Sequence, residues 1–188
     1  MYKILVLNLG STSTKLAYYE NETSVVSQTI EHPAAETKVF ESFMDQGEYR
    51  IGYIKRFMQE NAIDLCDLDA IVSRGGHTKS LESGVYRICP EMMKQQRSGI
   101  YGLHPSDLGS EIAYTLAQKS KAIPLIIDPP ITDEFEPVAR LSGHPLVRRR
   151  SSLHALNHKA TARRYAREND AKYEDLNLIV VHMGVVFL

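Results

Sequence analysis

At 188 residues the chain has room for one domain, or one and part of another, and can bury a substantial core. Hydrophobic residues at 43% and charged residues at 24% exclude a disordered chain, and a formal net charge of -1 removes any electrostatic reason to expect nucleic acid or an anionic membrane as partner. Cys66 and Cys89 stand in no metal spacing, no stretch reaches the length of a membrane span, and the apolar start is too short for a secretory segment, so reduced thiols and the cytoplasm are the expectation.

Ile4 to Leu7 is a short apolar run of β formers and predicts a buried strand. Asn8-Leu9-Gly10-Ser11-Thr12-Ser13-Thr14 follows as a tight polar turn. Residues 15–19 and 24–30 alternate and extend the first strand into an antiparallel meander. Phe40, Phe43 and Met44, then Ile51, Ile54, Phe57 and Met58, recur at helical spacing and predict two helices. Residues 69–73 return as a core strand ending in Arg74-Gly75-Gly76, and residues 81–88 read as a hairpin.

Pro90 opens a short helix through Arg97. Ser106 reads as the N-cap of the next helix, with Leu108, Ile112, Ala113, Leu116 and Ala117 as its buried face. Residues 124–128 form another buried strand, residues 138–145 are irregular, residues 152–168 are helical, and residues 178–183 predict a last strand. That strand runs through His182-Met183-Gly184 into Val185-Val186-Phe187-Leu188, where a glycine turn would be expected, and such an apolar edge suggests self-association. Strands with interspersed helices say α/β.

Four places carry candidate chemistry. The glycine turn with its hydroxyls and Lys15 offers N–H and side-chain donors to a phosphate, although its spacing is not that of a Walker A loop; by spacing alone an ordinary polar β-turn is the favoured reading. Arg74, at a strand end before two glycines, suits a carboxylate or phosphoryl group, or is a surface arginine beside a turn. Asp128 ends a strand where α/β proteins place ligand-facing groups, or caps the turn there. His154 and His158 share a helix face, but the residues between them lack the glutamate of a zinc hydrolase. Arg148-Arg149-Arg150 reads as a solvated connection.

In order along the chain, these pieces resemble the acetokinase family, in its butyrate kinase branch, within the actin-like ATPase (ribonuclease H-like) superfold. The resemblance rests on Asn8-Leu9-Gly10-Ser11-Thr12-Ser13-Thr14-Lys15, Arg74-Gly75-Gly76 and Arg97-Ser98-Gly99-Ile100-Tyr101-Gly102-Leu103-His104. It continues through Ile127-Asp128-Pro129, the segment from Arg149 to Lys159 with His154-Ala155-Leu156-Asn157-His158, and His182-Met183-Gly184. It implies a mixed sheet with helices, with residues 1–150 as a first acetokinase-type domain lacking its closing helix. Residues 151–188 would then hold the helix and first strand of an incomplete second domain.

The resemblance also implies an activity: reversible phosphoryl transfer between ATP and a short-chain carboxylate, giving butanoyl phosphate and ADP, with Mg²⁺. Arg74, Asp128 and His154 would be catalytic. Asn8, Ser11, Ser13, Lys15, His182 and Gly184 would bind phosphate and Mg²⁺, with Asn8 and Asp128 orienting the metal indirectly. The hydroxyl-rich turn and the His-Ala-Leu-Asn-His string favour butyrate or branched short-chain acids. Full-length relatives would be homo-oligomers whose second domain supplies the adenosine pocket. The residues Val185 to Leu188, in place of the expected glycines, match a one-base frameshift of Gly-Gly-Ile-Ser. This chain alone is expected to be inactive, the alternative being a non-enzymatic fragment that binds nucleotide or a partner.

Overall fold

The structure is a computed structural model and describes residues 1–182. A six-stranded mixed sheet forms the frame, built from β1 (Lys3–Leu9), β2 (Ser13–Glu20), β3 (Thr23–Glu31), β4 (Ala70–Ser73), β5 (Val85–Arg87) and β6 (Ile123–Ile127). Their order across the sheet is β3-β2-β1-β4-β6-β5. The meander β1-β2-β3 is antiparallel, β1, β4 and β6 run parallel, and β5 returns antiparallel on the edge.

The pleat of β1 divides the molecule. Leu5, Leu7 and Leu9 are buried on one face, with Leu16, Ile71 and Ile126 beside them. Helices α2 (Gly47–Glu60) and α4 (Pro105–Ala117) close that core, α2 through Ile51, Ile54 and Phe57 and α4 through Leu108, Ile112 and Leu116. A single turn, α1 (Ala34–Thr37), precedes α2, and α3 (Pro90–Ser98) packs on α4. The opposite face of β1, with Val6 and Asn8, looks into a cleft beneath α5 (Ala155–Glu168).

Several local expectations change in the structure. The helix expected around Phe40–Met44 is only a 3-10 turn, Phe43–Gln46, which Ser42 starts by accepting from Met44 N while Asp45 accepts from Ser42 N. It runs directly into α2. The N-cap of α4 is His104, not Ser106: Pro105 occupies the first helical position, and His104 Nδ1 accepts from the Ser106 N–H at 3.1 Å. Residues 81–88 make no hairpin, because Leu81 bridges to Thr132 while β5 pairs with β6. The irregular stretch holds a 3-10 turn, Pro137–Arg140.

The expected last strand is absent among the described residues: residues 178–182 pair with no strand, and Ile179 is 94% exposed. An apolar run becomes a strand only where an edge accepts it, and β3 and β5 form the two edges without it. Gly184 and the residues after it lie outside the described residues.

Candidate active site

Parallel strands β4 and β6 end side by side, and the chain leaves each through a constrained turn. Gly75, after Arg74, has φ +75°, a conformation that suits glycine. Gly76 lies against the start of α4, where Asp107, fully buried, accepts from the backbone N–H of His104 at 2.7 Å and of His77 at 2.5 Å. The helix start is thereby locked to the segment that carries Arg74. After β6, Asp128 takes a left-handed conformation with φ 39°, which aspartate tolerates better than most residues. Its Oδ1 accepts from Ser83 Oγ at 2.7 Å and from Gly84 N at 2.8 Å, and its own N–H donates to Gly84 O at 3.0 Å. Lys159 on α5 reaches Ser83 Oγ and pairs with Glu134 at 2.8 Å, tying α5 to this loop.

One cleft of about 420 Å³ gathers Asn8, Lys15, Arg74, Asp128, His154, Asn157 and His182. Asn8 and Lys15 are direct cross-strand partners of β1 and β2, so their side chains share a face. Arg74 is half-buried, and among the described residues its guanidinium makes no ion pair or side-chain hydrogen bond. Burial holds its pKa below the usual arginine value, the signature of a cation whose water has been stripped without a compensating anion. The second oxygen of Asp128 likewise has no partner among the described residues.

His154 precedes α5. Its Nδ1 lies 3.1 Å from His182 Nδ1, which also lies 3.2 Å from Asn157 Nδ2. With the amide donating, His182 Nδ1 is the acceptor and His154 Nδ1 carries the shared proton, an assignment that follows from the hydrogen-bond network. Burial first, then the Arg74 charge and neighbouring imidazoles, depress the His154 pKa. The neutral ring therefore presents a bare Nε2, and it becomes a double donor only when protonated.

Six of the expected site residues thus line this cleft, whereas Ser11 and Ser13 do not. Ser11 lies in the turn between β1 and β2 and Ser13 opens β2, and Arg50 donates to the carbonyls of both. Sequence reasoning passed over Asn157, Ser83, Asp107 and Arg50. Asn157 was detectable, since it lies three residues after His154 and so on the same side of a helix. Ser83 was not, because its role depends on a carboxylate 45 residues away. No group of three or more His, Cys, Asp or Glu side chains able to hold a metal exists among the described residues, so His154 and His158 form no metal centre with a third such ligand.

A magnesium ion would suit the donor set differently. The free oxygen of Asp128 and the amide oxygen of Asn8 are hard ligands, and Mg²⁺ is commonly held by one carboxylate together with water and phosphate oxygens.

This mixed sheet with helices on both faces has the fold class of the acetate kinases. The Porphyromonas gingivalis acetate kinase superposes with a TM-score of 0.60 at 16% identity, over 92% of this chain and 50% of that one. In sequence, butyrate kinase 2 of Clostridium acetobutylicum is 41% identical over 183 residues, 97% of this chain and 51% of that protein. Butyrate kinase 1 of the same organism is 42% identical over 184 residues, 98% of this chain and 52% of that protein. No family model matches the chain. The chain is a relative of the butyrate kinases and spans about half their length. No helix among the described residues is long and apolar enough to cross a membrane.

Proposed function

We propose that the cleft is the carboxylate- and phosphoryl-binding half of a butyrate kinase-type active site, serving reversible phosphoryl transfer between ATP and a short-chain carboxylate. The observation that carries this reading is Arg74, a partly desolvated guanidinium with no anionic partner among the described residues, in the same cleft as Asp128 and His154. The sequence kinship with butyrate kinases supports it. Apolar lining from Val6, Val72, Leu153, Leu156 and Ala160 suits a short alkyl chain beside the charged end.

In this reading each side chain has one physical task. Arg74 grips the substrate carboxylate or the phosphoryl group with its forked donors. Asn8 and Asp128 would hold magnesium, which when bound supplies positive charge to the phosphate oxygens. Lys15 adds a point charge across the strand pair. His154, protonated by the approach of a dianion, donates to the charge that builds on the equatorial oxygens. Transfer of this kind needs positioning and charge stabilisation more than covalent chemistry.

The same cleft favours binding over turnover in this chain by itself. Lys15, His154, Asn157, Ala160 and His182 are all exposed, so water has access to a phosphoryl group held there. A non-enzymatic module that binds nucleotide or a partner is therefore the second reading. The experiment is a coupled assay for ATP from butanoyl phosphate and ADP, alongside calorimetry of both ligands with magnesium. Binding with negligible turnover is the expected result; chain-dependent ATP formation would show a complete catalytic cleft, and absence of any binding would remove the functional reading.

A further inference from the structure

Behind the Gly10–Ser13 turn, on the core side, stands a charge that the cleft does not use. Arg50 of α2 is 1% exposed, and no carboxylate pairs with it among the described residues. All five of its N–H donors are spent on neutral oxygens. Nε and one terminal nitrogen donate to Gln46 Oε1 at 3.0 and 2.9 Å, and the other contacts are Ser13 O at 3.2 Å, Thr14 Oγ1 at 3.0 Å and Ser11 O at 3.3 Å.

The other carbonyls of the turn are engaged as well. The Thr12 carbonyl accepts from His32 N at 2.7 Å, and the Ser13 carbonyl also accepts from Gly10 N at 2.8 Å. With three successive carbonyls engaged, two of them by Arg50, the N–H groups of Ser11 and Thr12 find no acceptor among the described residues. A row of outward N–H groups is an anion-binding concavity.

The geometry points to Arg50 as a positioning residue for phosphate: it holds the Gly10–Ser13 turn with its N–H groups outward and adds a buried positive charge behind them. The inference rests on the phosphoryl-binding reading above. A neutral donor could tether the same carbonyls, whereas a buried guanidinium carries a desolvation cost that neutral acceptors offset in part and a nearby anion offsets further. The field of Arg50 is felt locally, since together with burial it depresses the pKa of His32. His32 receives the Thr14 hydroxyl contact at 2.8 Å and touches Tyr49, whose hydroxyl donates to Glu36 at 2.7 Å, so the network's one carboxylate sits at the surface, separated from Arg50 by three side chains.

The test is a titration of the wild-type chain with inorganic phosphate, followed by nitrogen-15 NMR at the Ser11 and Thr12 amides, the Arg50 Nε–H and the Arg74 side chain. The turn amides and the Arg50 Nε–H should shift along one saturation curve. R50M should bind phosphate at least about tenfold more weakly, as expected for loss of a full charge close behind the site, and R50K should recover most of that loss. Equal weakening in R50K and R50M would reduce Arg50 to a structural tether and overturn the inference. So would shifts at Arg74 with the turn and Arg50 silent, an outcome that leaves the functional reading standing. No shift at either place would defeat both. Should the variants not fold, the wild-type Arg50 Nε–H response alone decides.

Discussion

Gly76 and Asp107 approach so closely that a Cβ on Gly76 would stand 1.8 Å from the Asp107 carboxylate and 2.6 Å from its Cα. The second distance matters more, because backbone cannot step aside as a side chain can. This approach docks the first turn of α4 against the segment leaving Arg74. G76A should therefore lose about 3 kcal/mol of stability, the upper end for overpacking of a closed core. Gly52, on α2 with nothing within 4 Å of its missing Cβ, is the control. G52A should gain up to about 1 kcal/mol from helix propensity. Urea denaturation of the two variants checks both, and similar midpoints would contradict the packing argument.

Asp128 is anchored through one oxygen, leaving the other for a ligand. Asparagine tolerates the left-handed backbone found there and can still accept from Ser83 and Gly84, so D128N should fold with near wild-type stability. What it should lose is the strengthening of ADP binding by magnesium, by about tenfold or more, because the formal charge at the metal position is gone. Calorimetry with and without magnesium measures this, and an undiminished magnesium effect in D128N would place the metal elsewhere.

Three histidines, His32, His104 and His154, are held below the ordinary histidine range, with burial the first cause in each. Arg50 adds to the effect at His32, and Arg74 at His104 and His154. The unfolded chain takes up protons at these positions near pH 6.5, about the free-histidine value, while the native chain does so only at lower pH. Between those limits the unfolded state binds more protons, so stability must fall as pH falls from about 7 toward 5. Urea midpoints across that range report it, and a flat profile would refute the neutral assignments.

A bound dianion reverses part of this. Phosphate near Arg74 cancels the charge that opposes protonation of His154, so the pKa of His154 should rise on saturation with inorganic phosphate. Proton NMR of the ring resonances at several pH values measures the change. An unchanged titration would remove His154 from the phosphate environment.

The sheet was largely legible from residues. The apolar run Ile4–Leu7 and the alternation that follows specify β1, β2 and β3 because strand periodicity is local. Pro90 likewise marks the start of α3. Long-range geometry was not legible. The cap by His104 escapes a rule built on serine, threonine, asparagine and aspartate, because here an imidazole nitrogen accepts from Ser106 N. Arg50, in a helix where charge usually faces water, gives no sign in sequence that it lies under the Ser11–Thr14 turn. Residues 178–182 carry the composition of a strand, but pairing depends on a neighbour that composition cannot name. In the cleft, the recognisable motifs include Arg74, Asp128 and His154, while the serine that anchors Asp128 comes from a segment with no motif of its own.

The most direct test of the central claim is calorimetric titration of butanoyl phosphate into the wild-type chain and into R74M, with folding of both verified by circular dichroism. Binding by the wild type, weakened about a hundredfold or more in R74M as expected for loss of a charge-assisted forked contact, is the predicted result. Equal affinity in the two chains, or no binding by a folded wild type, would contradict a carboxylate- and phosphoryl-binding site built on Arg74.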